Sequence, residues 1–310
     1  MPATRMQGWI APLNGLAAAL HAAQAIAVIA LAAWMDRREG DGPLLFQGGR
    51  IPLYRAATLF NVSSSSATTT TDLRPYGALD VRALIAAFFG LSALAQGAAA
   101  LLWRGRSGRA RFLEYSVTAA VMVLAIAAEA GIRDAYTLAG QFVLVWATML
   151  LGLAAESVQL AYAAPHAADA DAWLWVAPHA VGWATCLTAY APILDVFLLN
   201  ATATAGYGQP PDFVRVLVFL QFALFMAFGV VQVVALTQRT LVARRAGYAP
   251  LHYWQSLARG RTASMAELEQ AVNTDAQLAL IDDAAELAYI ALSLAAKTLL
   301  GWIVLSPLLA

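Results

Sequence analysis

Seven stretches of this chain are long and apolar enough to cross a membrane as helices. They lie near residues 9–34, 82–103, 111–131, 135–163, 173–199, 213–238 and 286–308 of 310. Each supplies the roughly 20 residues that span about 30 Å of hydrocarbon. Composition agrees: 61% of residues are hydrophobic and 12% charged, whereas soluble domains carry about 25% charged residues. The expected fold is an all-α, multi-pass membrane protein, with the seven helices packed into one domain over 1–310. The first stretch is too long for a signal peptide, and Ala32-Ala33-Trp34 ahead of Arg37 and Arg38 makes a poor cleavage site.

Several function classes drop out. The formal net charge is zero, which leaves no basic surface for nucleic acid. One cysteine, Cys186, sits in an apolar run. It allows no internal disulfide or cysteine cluster and reads as a small buried hydrophobe. The four histidines lack the i, i+4 spacing of a helical metal site, so no metal is expected. No enzyme is expected either.

Two connections are long. The first, about 35–80, holds RIPLY and ATLFNVS, where short β pieces are plausible, followed by SSSSATTTT, read as a flexible polar stretch. The second, about 239–285, opens with basic residues and Pro250 and ends in ASMAELEQAVNTDAQLALIDDAAEL. Its helical composition and acidic face predict a helix or two on the membrane surface.

Arginine placement sets the orientation. With the N-terminus cytoplasmic, ten arginines lie inside: Arg5, Arg104, Arg106, Arg109, Arg111, Arg239, Arg244, Arg245, Arg259 and Arg261. The short outer loops carry only Arg133 and Arg215. The long first connection carries Arg37, Arg38, Arg50, Arg55, Arg74 and Arg82. Long loops count less in this rule, although Arg37 and Arg38, close to a helix end, argue against it. The sequons at Asn61 and Asn200 fall outside in the same arrangement. The N-terminus is therefore expected inside and the C-terminus outside.

The chemistry centres on Lys297. Of nineteen basic residues it is the sole lysine, and it lies in the last apolar stretch, eleven residues after Glu286. That is about 16 Å along a helix, near the membrane midplane. A lysine there costs about 2.5–3.5 kcal/mol on insertion scales, and such residues usually face an interior with a task. In a dry pocket its amine can condense with an aldehyde to give a Schiff base. A buried, protonated Schiff base needs a carboxylate beside it. The third stretch offers Glu114, in RFLEYSVTAAVMV, and runs parallel to the seventh. Read by itself, Glu114 is equally an interfacial residue next to Arg111. Ser293 stands one turn before Lys297, and Thr118 one turn beyond Glu114.

These residues sit in a wider pattern. LNGLAAALHAAQ, FFGLSALAQ, RFLEYSVTAAVMV, MLLGLAAES, PDFVRV, FLQFALFMAF and AYIALSLAAKTLLGW follow one another along the bundle. With these motifs the chain resembles the heliorhodopsins, retinal proteins whose orientation is inverted relative to ordinary microbial rhodopsins. The resemblance implies all-trans retinal on Lys297 with Glu114 as counterion. It also implies Ser92 and Ser293 near the Schiff base, and His21 in a polar cavity on the cytoplasmic side. Tyr115, Met122, Phe222 and Phe225 would line the polyene, although packing residues of these types are common in any helix bundle. Family members often carry a histidine where this chain has Gln96, which cannot titrate. The common retinal pumps hold further carboxylates where this chain has Ser293 and Ala125. The inner connection also looks longer than is usual in the family.

Three further acidic residues allow two readings. Glu156 would lie inside, and Glu129 and Asp195 outside. They either line a wet ion path or sit near the surface bonded to neighbouring helices. The expected function is a light sensor in the lipid bilayer, as a homodimer with a cytoplasmic signalling partner. The alternative is a light-gated passive proton or ion channel using the same retinal site.

Overall fold

The computed structural model describes residues 7–37, 50–63, 66–102, 109–162, 173–202, 212–245 and 265–305. Seven helices follow in chain order: α1 Gln7–Asp36, α2 Val81–Leu102, α3 Ala110–Ala130, α4 Ala135–Tyr162, α5 Val176–Thr202, α6 Asp212–Arg245 and α7 Met265–Leu305. Each contains a window apolar enough to cross a membrane. Between α1 and α2 runs a hairpin of β1 Arg50–Ser63 and β2 Ser66–Asp80.

α3 is the hub. Ala119, Ala120, Val123 and Ala125–Ala128 are all buried, so this small-residue helix is packed on nearly every side. The main core draws on all seven helices and on Ile51 of β1. Helix α3 stops at Gly131, whose φ of 111° suits a residue without Cβ. A Cβ there would lie 2.9 Å from Asn200 Nδ2, and that amide caps Ala130 O at 3.3 Å.

The hairpin is antiparallel, from Arg50 opposite Asp80 to Ser63 opposite Ser66, with a bulge between Leu53 and Tyr54. It is anchored twice. Tyr54 N–H donates to Arg133 O at 2.9 Å. At its foot, buried Arg82 reaches Asp36 of α1 at 2.7 Å and Asp80 at 3.0 Å. Burial alone would raise the Asp80 carboxyl, but hydrogen bonds from Arg82 and the Ala83 amide bring it below its ordinary range.

Two expectations need correction. The Ser/Thr-rich run is not a flexible stretch: residues 66–71 open β2, as β-branched threonine favours. The acidic segment before the seventh span is not a separate surface helix. It is the first part of α7, which runs 41 residues without a break. Arg82 and Arg111 stand at the N-terminal ends of α2 and α3 and are buried there. Of the arginines expected inside, Arg5, Arg104, Arg106, Arg259 and Arg261 lie outside the described residues, as does Arg38 of the first long connection.

Candidate functional site

α7 delivers Lys297 to the bundle centre, where its side chain is 3% exposed. Its Nζ donates to Glu114 Oε1 of α3 at 2.5 Å and to Ser92 Oγ of α2 at 2.5 Å. Ser92 Oγ in turn donates to Glu114 Oε1 at 2.7 Å, and Thr118 Oγ1 to the same oxygen at 3.0 Å. Three donors thus converge on one carboxylate oxygen. The interfacial reading of Glu114 fails: its side chain is 8% exposed, and the carboxylates bound to Arg111 are others.

Beside the amine lies an apolar cavity of about 30 Å³, lined by Tyr115, Thr118, Met122, Phe225, Ser293 and Lys297 among others. A second cavity, of about 60 Å³, shares Tyr115, Met149, Phe225 and Phe228 with the first and runs on to Trp183 and Cys186. Together they form an apolar slot leading away from the amine between α3, α4, α5 and α6. Of the two phenylalanines expected here, Phe225 lines both cavities. Phe222 packs on Tyr190, with ring centroids 5.2 Å apart. The Tyr115 ring centroid is 5.1 Å from Nζ, close enough for a cation–π contact.

Polar side chains fix the helices around the lysine. His21, fully buried in α1, packs at a tilt against Phe89 and meets Gln24 Oε1 at 3.1 Å. Gln24 donates to Thr298 Oγ1 at 2.9 Å, which ties α1 to the residue after Lys297. On the other flank, buried Gln221 of α6 donates to Ala296 O at 2.9 Å. One turn further on, α7 presses onto α2: a Cβ on Gly301 would sit 2.6 Å from the Phe89 ring. Neither glutamine was singled out from the sequence, although a glutamine inside an apolar run is the signal that marks them.

Toward the start of α3, Arg111 is 6% exposed and bridges two carboxylates. It donates to Glu156 Oε1 of α4 at 2.5 Å and to Glu286 Oε2 of α7 at 2.8 Å. The Tyr289 ring lies 4.3 Å from the guanidinium carbon. Glu156 is therefore part of a buried ion triad. The remaining candidates for an ion path do not join it: Glu129 is half-buried near the far end of α3, and Asp195 is exposed on the outer face of α5. Among the described residues no group of three or more metal-ligating side chains occurs.

The fold is that of a seven-helix integral membrane protein with a lysine–carboxylate pair at its centre. The family model for heliorhodopsins matches residues 10–243, and the chain belongs to the heliorhodopsin family, which consists of retinal-binding, rhodopsin-like proteins. No curated protein gives a significant match. The matched region ends before α7, so for Lys297 the geometry is the argument. That geometry suits retinal: a buried primary amine, a carboxylate held against it, and a slot of aromatic and methionine side chains leading away from it.

Proposed function

We propose that this protein is a light sensor in which Lys297 carries all-trans retinal as a protonated Schiff base and Glu114 is its counterion. The single observation behind this reading is the 2.5 Å contact between a buried Nζ and a carboxylate oxygen that also accepts from Ser92 and Thr118. When bound, retinal supplies visible absorption and a photoisomerisation. Everything else is the protein's task. Glu114 balances the positive nitrogen in a low-dielectric interior, and Ser92 and Thr118 hold that carboxylate in place. Tyr115, Met122 and Phe225 exclude water from the slot.

The arginine distribution supports a cytoplasmic N-terminus. A signalling partner would then meet the inner ends of α6 and α7, where Arg244 and Arg245 close α6. The reading as a passive ion channel has less behind it, because Glu156 is locked to Arg111 and Asp195 faces outward.

The test is reconstitution. Adding all-trans retinal to the full-length protein should give a visible band that survives denaturation as a covalent adduct. A band that is lost on denaturation and persists in Lys297→Ala would sink the proposal.

A further inference from the structure

A third cavity touches the Glu114 carboxylate on the side away from the slot. It measures about 60 Å³, and its lining includes Asn14, Gln96, Arg111, Glu114, Glu286 and Tyr289. A water molecule needs only about 10–15 Å³ measured in this way, so the space holds a few. Three buried atoms on residues of this lining have no partner within the protein: Gln96 Oε1, an acceptor, Arg111 Nε, a donor, and the Tyr289 hydroxyl, which can do either. Leaving any of them dry carries the full desolvation cost of a buried polar group with no partner. What satisfies them must both donate and accept, as water does and an apolar chain or a simple ion does not.

We propose that this cavity is a bound-water site joining Glu114 to Glu286, and that Glu286 is the terminal proton holder on this side of Lys297. The proton-holding role rests on the retinal reading above; the water site does not. The transfer balances within the protein. If the Lys297 nitrogen yields its proton across the 2.5 Å contact, Glu114 becomes a neutral acid. It then passes a proton to water, which gives one of its own to the Glu286 carboxylate. Water is regenerated, Glu114 is again ionised, and Glu286 is neutral. Arg111 keeps Glu156 as its ionic partner throughout, so no buried cation is stranded.

The surroundings of Glu286 allow this. Arg111 and Glu156 face it from α3 and α4. Asn14 and Gln96 face the shared space from α1 and α2. From α6, Arg239 approaches Tyr289 but is bound to Asp282 at 2.6 Å. Asp283, one turn earlier on α7, is buried with a partner of its own. One guanidinium thus serves two carboxylates, and the second can accept a proton without breaking the triad. The arrangement holds the proton inside the bundle and does not release it to the cytosol.

Two measurements on the full-length protein decide the matter. The first needs no chromophore: an experimental structure of the retinal-free protein, at a resolution that shows water, should contain a water within hydrogen-bond reach of both Gln96 Oε1 and Arg111 Nε. A dry cavity, or one filled by lipid, overturns the site. The second is light-induced infrared difference spectroscopy of the pigment. A carboxylic-acid band should rise after illumination, vanish in Glu286→Gln, and rise at least tenfold more slowly in Gln96→Leu, which removes the acceptor at nearly constant volume. A band unchanged in Glu286→Gln would overturn the holder while leaving the water site standing. If no pigment forms at all, the retinal reading fails and the first measurement still tests the cavity.

Discussion

The Gln221 side-chain amide donates to the main-chain oxygen of Ala296, the residue immediately before Lys297. The bond crosses from α6 to α7 and holds the helix at the point where the lysine leaves it. Because Gln221 Oε1 has no partner, the glutamine contributes one good bond and one unsatisfied acceptor. Gln221→Leu should therefore change folding stability by no more than about 1 kcal/mol. It should nonetheless loosen the lysine, seen as a broadened visible band and faster bleaching by hydroxylamine. Unchanged bleaching would mean that α7 is positioned by packing alone.

Lys297→Ala removes the only lysine, so no other lysine can replace it. The variant should show no covalent pigment at any retinal concentration. Its fold should persist, because the substitution also leaves Glu114 with its Ser92 and Thr118 donors. Far-UV circular dichroism and absorption, measured together, check both halves.

Glu114→Gln removes the carboxylate that balances the Schiff base. The pKa of the pigment should fall, with the band either shifted red or collapsed to the near-ultraviolet form at neutral pH. Asp195→Asn should leave the titration nearly unchanged, since Asp195 lies on the outer face of α5. Absorption against pH for the two variants checks the assignment, and the opposite ranking would reverse it.

Arg111→Met should be among the most damaging single changes, at about 3–5 kcal/mol, because it strands two buried carboxylates. Adding Glu156→Gln and Glu286→Gln should recover part of that loss. Thermal melting of the retinal-free protein in detergent measures both.

Sustained pumping against a gradient is not expected. Ala125 and Ser293 occupy positions where pumps carry further carboxylates, and Gln96 does not titrate. Current against voltage under illumination, at two external pH values, provides the check. A steady current of one sign at all voltages would mean a pump.

Much of this was legible in the sequence because membranes read composition. Seven apolar runs give seven helices, and a lysine with no acidic residue within two turns of it has to find its carboxylate across the bundle. What escaped had physical reasons. Asp195 was a candidate for an ion path because its segment is apolar, yet Cys186, Ala189, Tyr190, Ile193 and Phe197 mark the inward face, and position 195 falls opposite them. The Arg111 triad depends on three helices agreeing in depth to within one turn, which no single segment encodes. The Ser/Thr run suggested flexibility by polarity, whereas its threonine branching and its pairing with β1 decided for strand. The union of the acidic segment with α7 was readable in hindsight: no proline or glycine interrupts 265–300, so nothing stops the helix.

That uninterrupted helix has a mechanical meaning. From Lys297 back to Met265 is about 48 Å of rigid rod at 1.5 Å per residue. A tilt of about 5° at the lysine would swing the far end by about 4 Å, a side chain's width, with the lever length set by ordinary helical rise. A small displacement at the membrane centre is thereby magnified at the distal tip, as a long pointer magnifies the turn of a galvanometer coil.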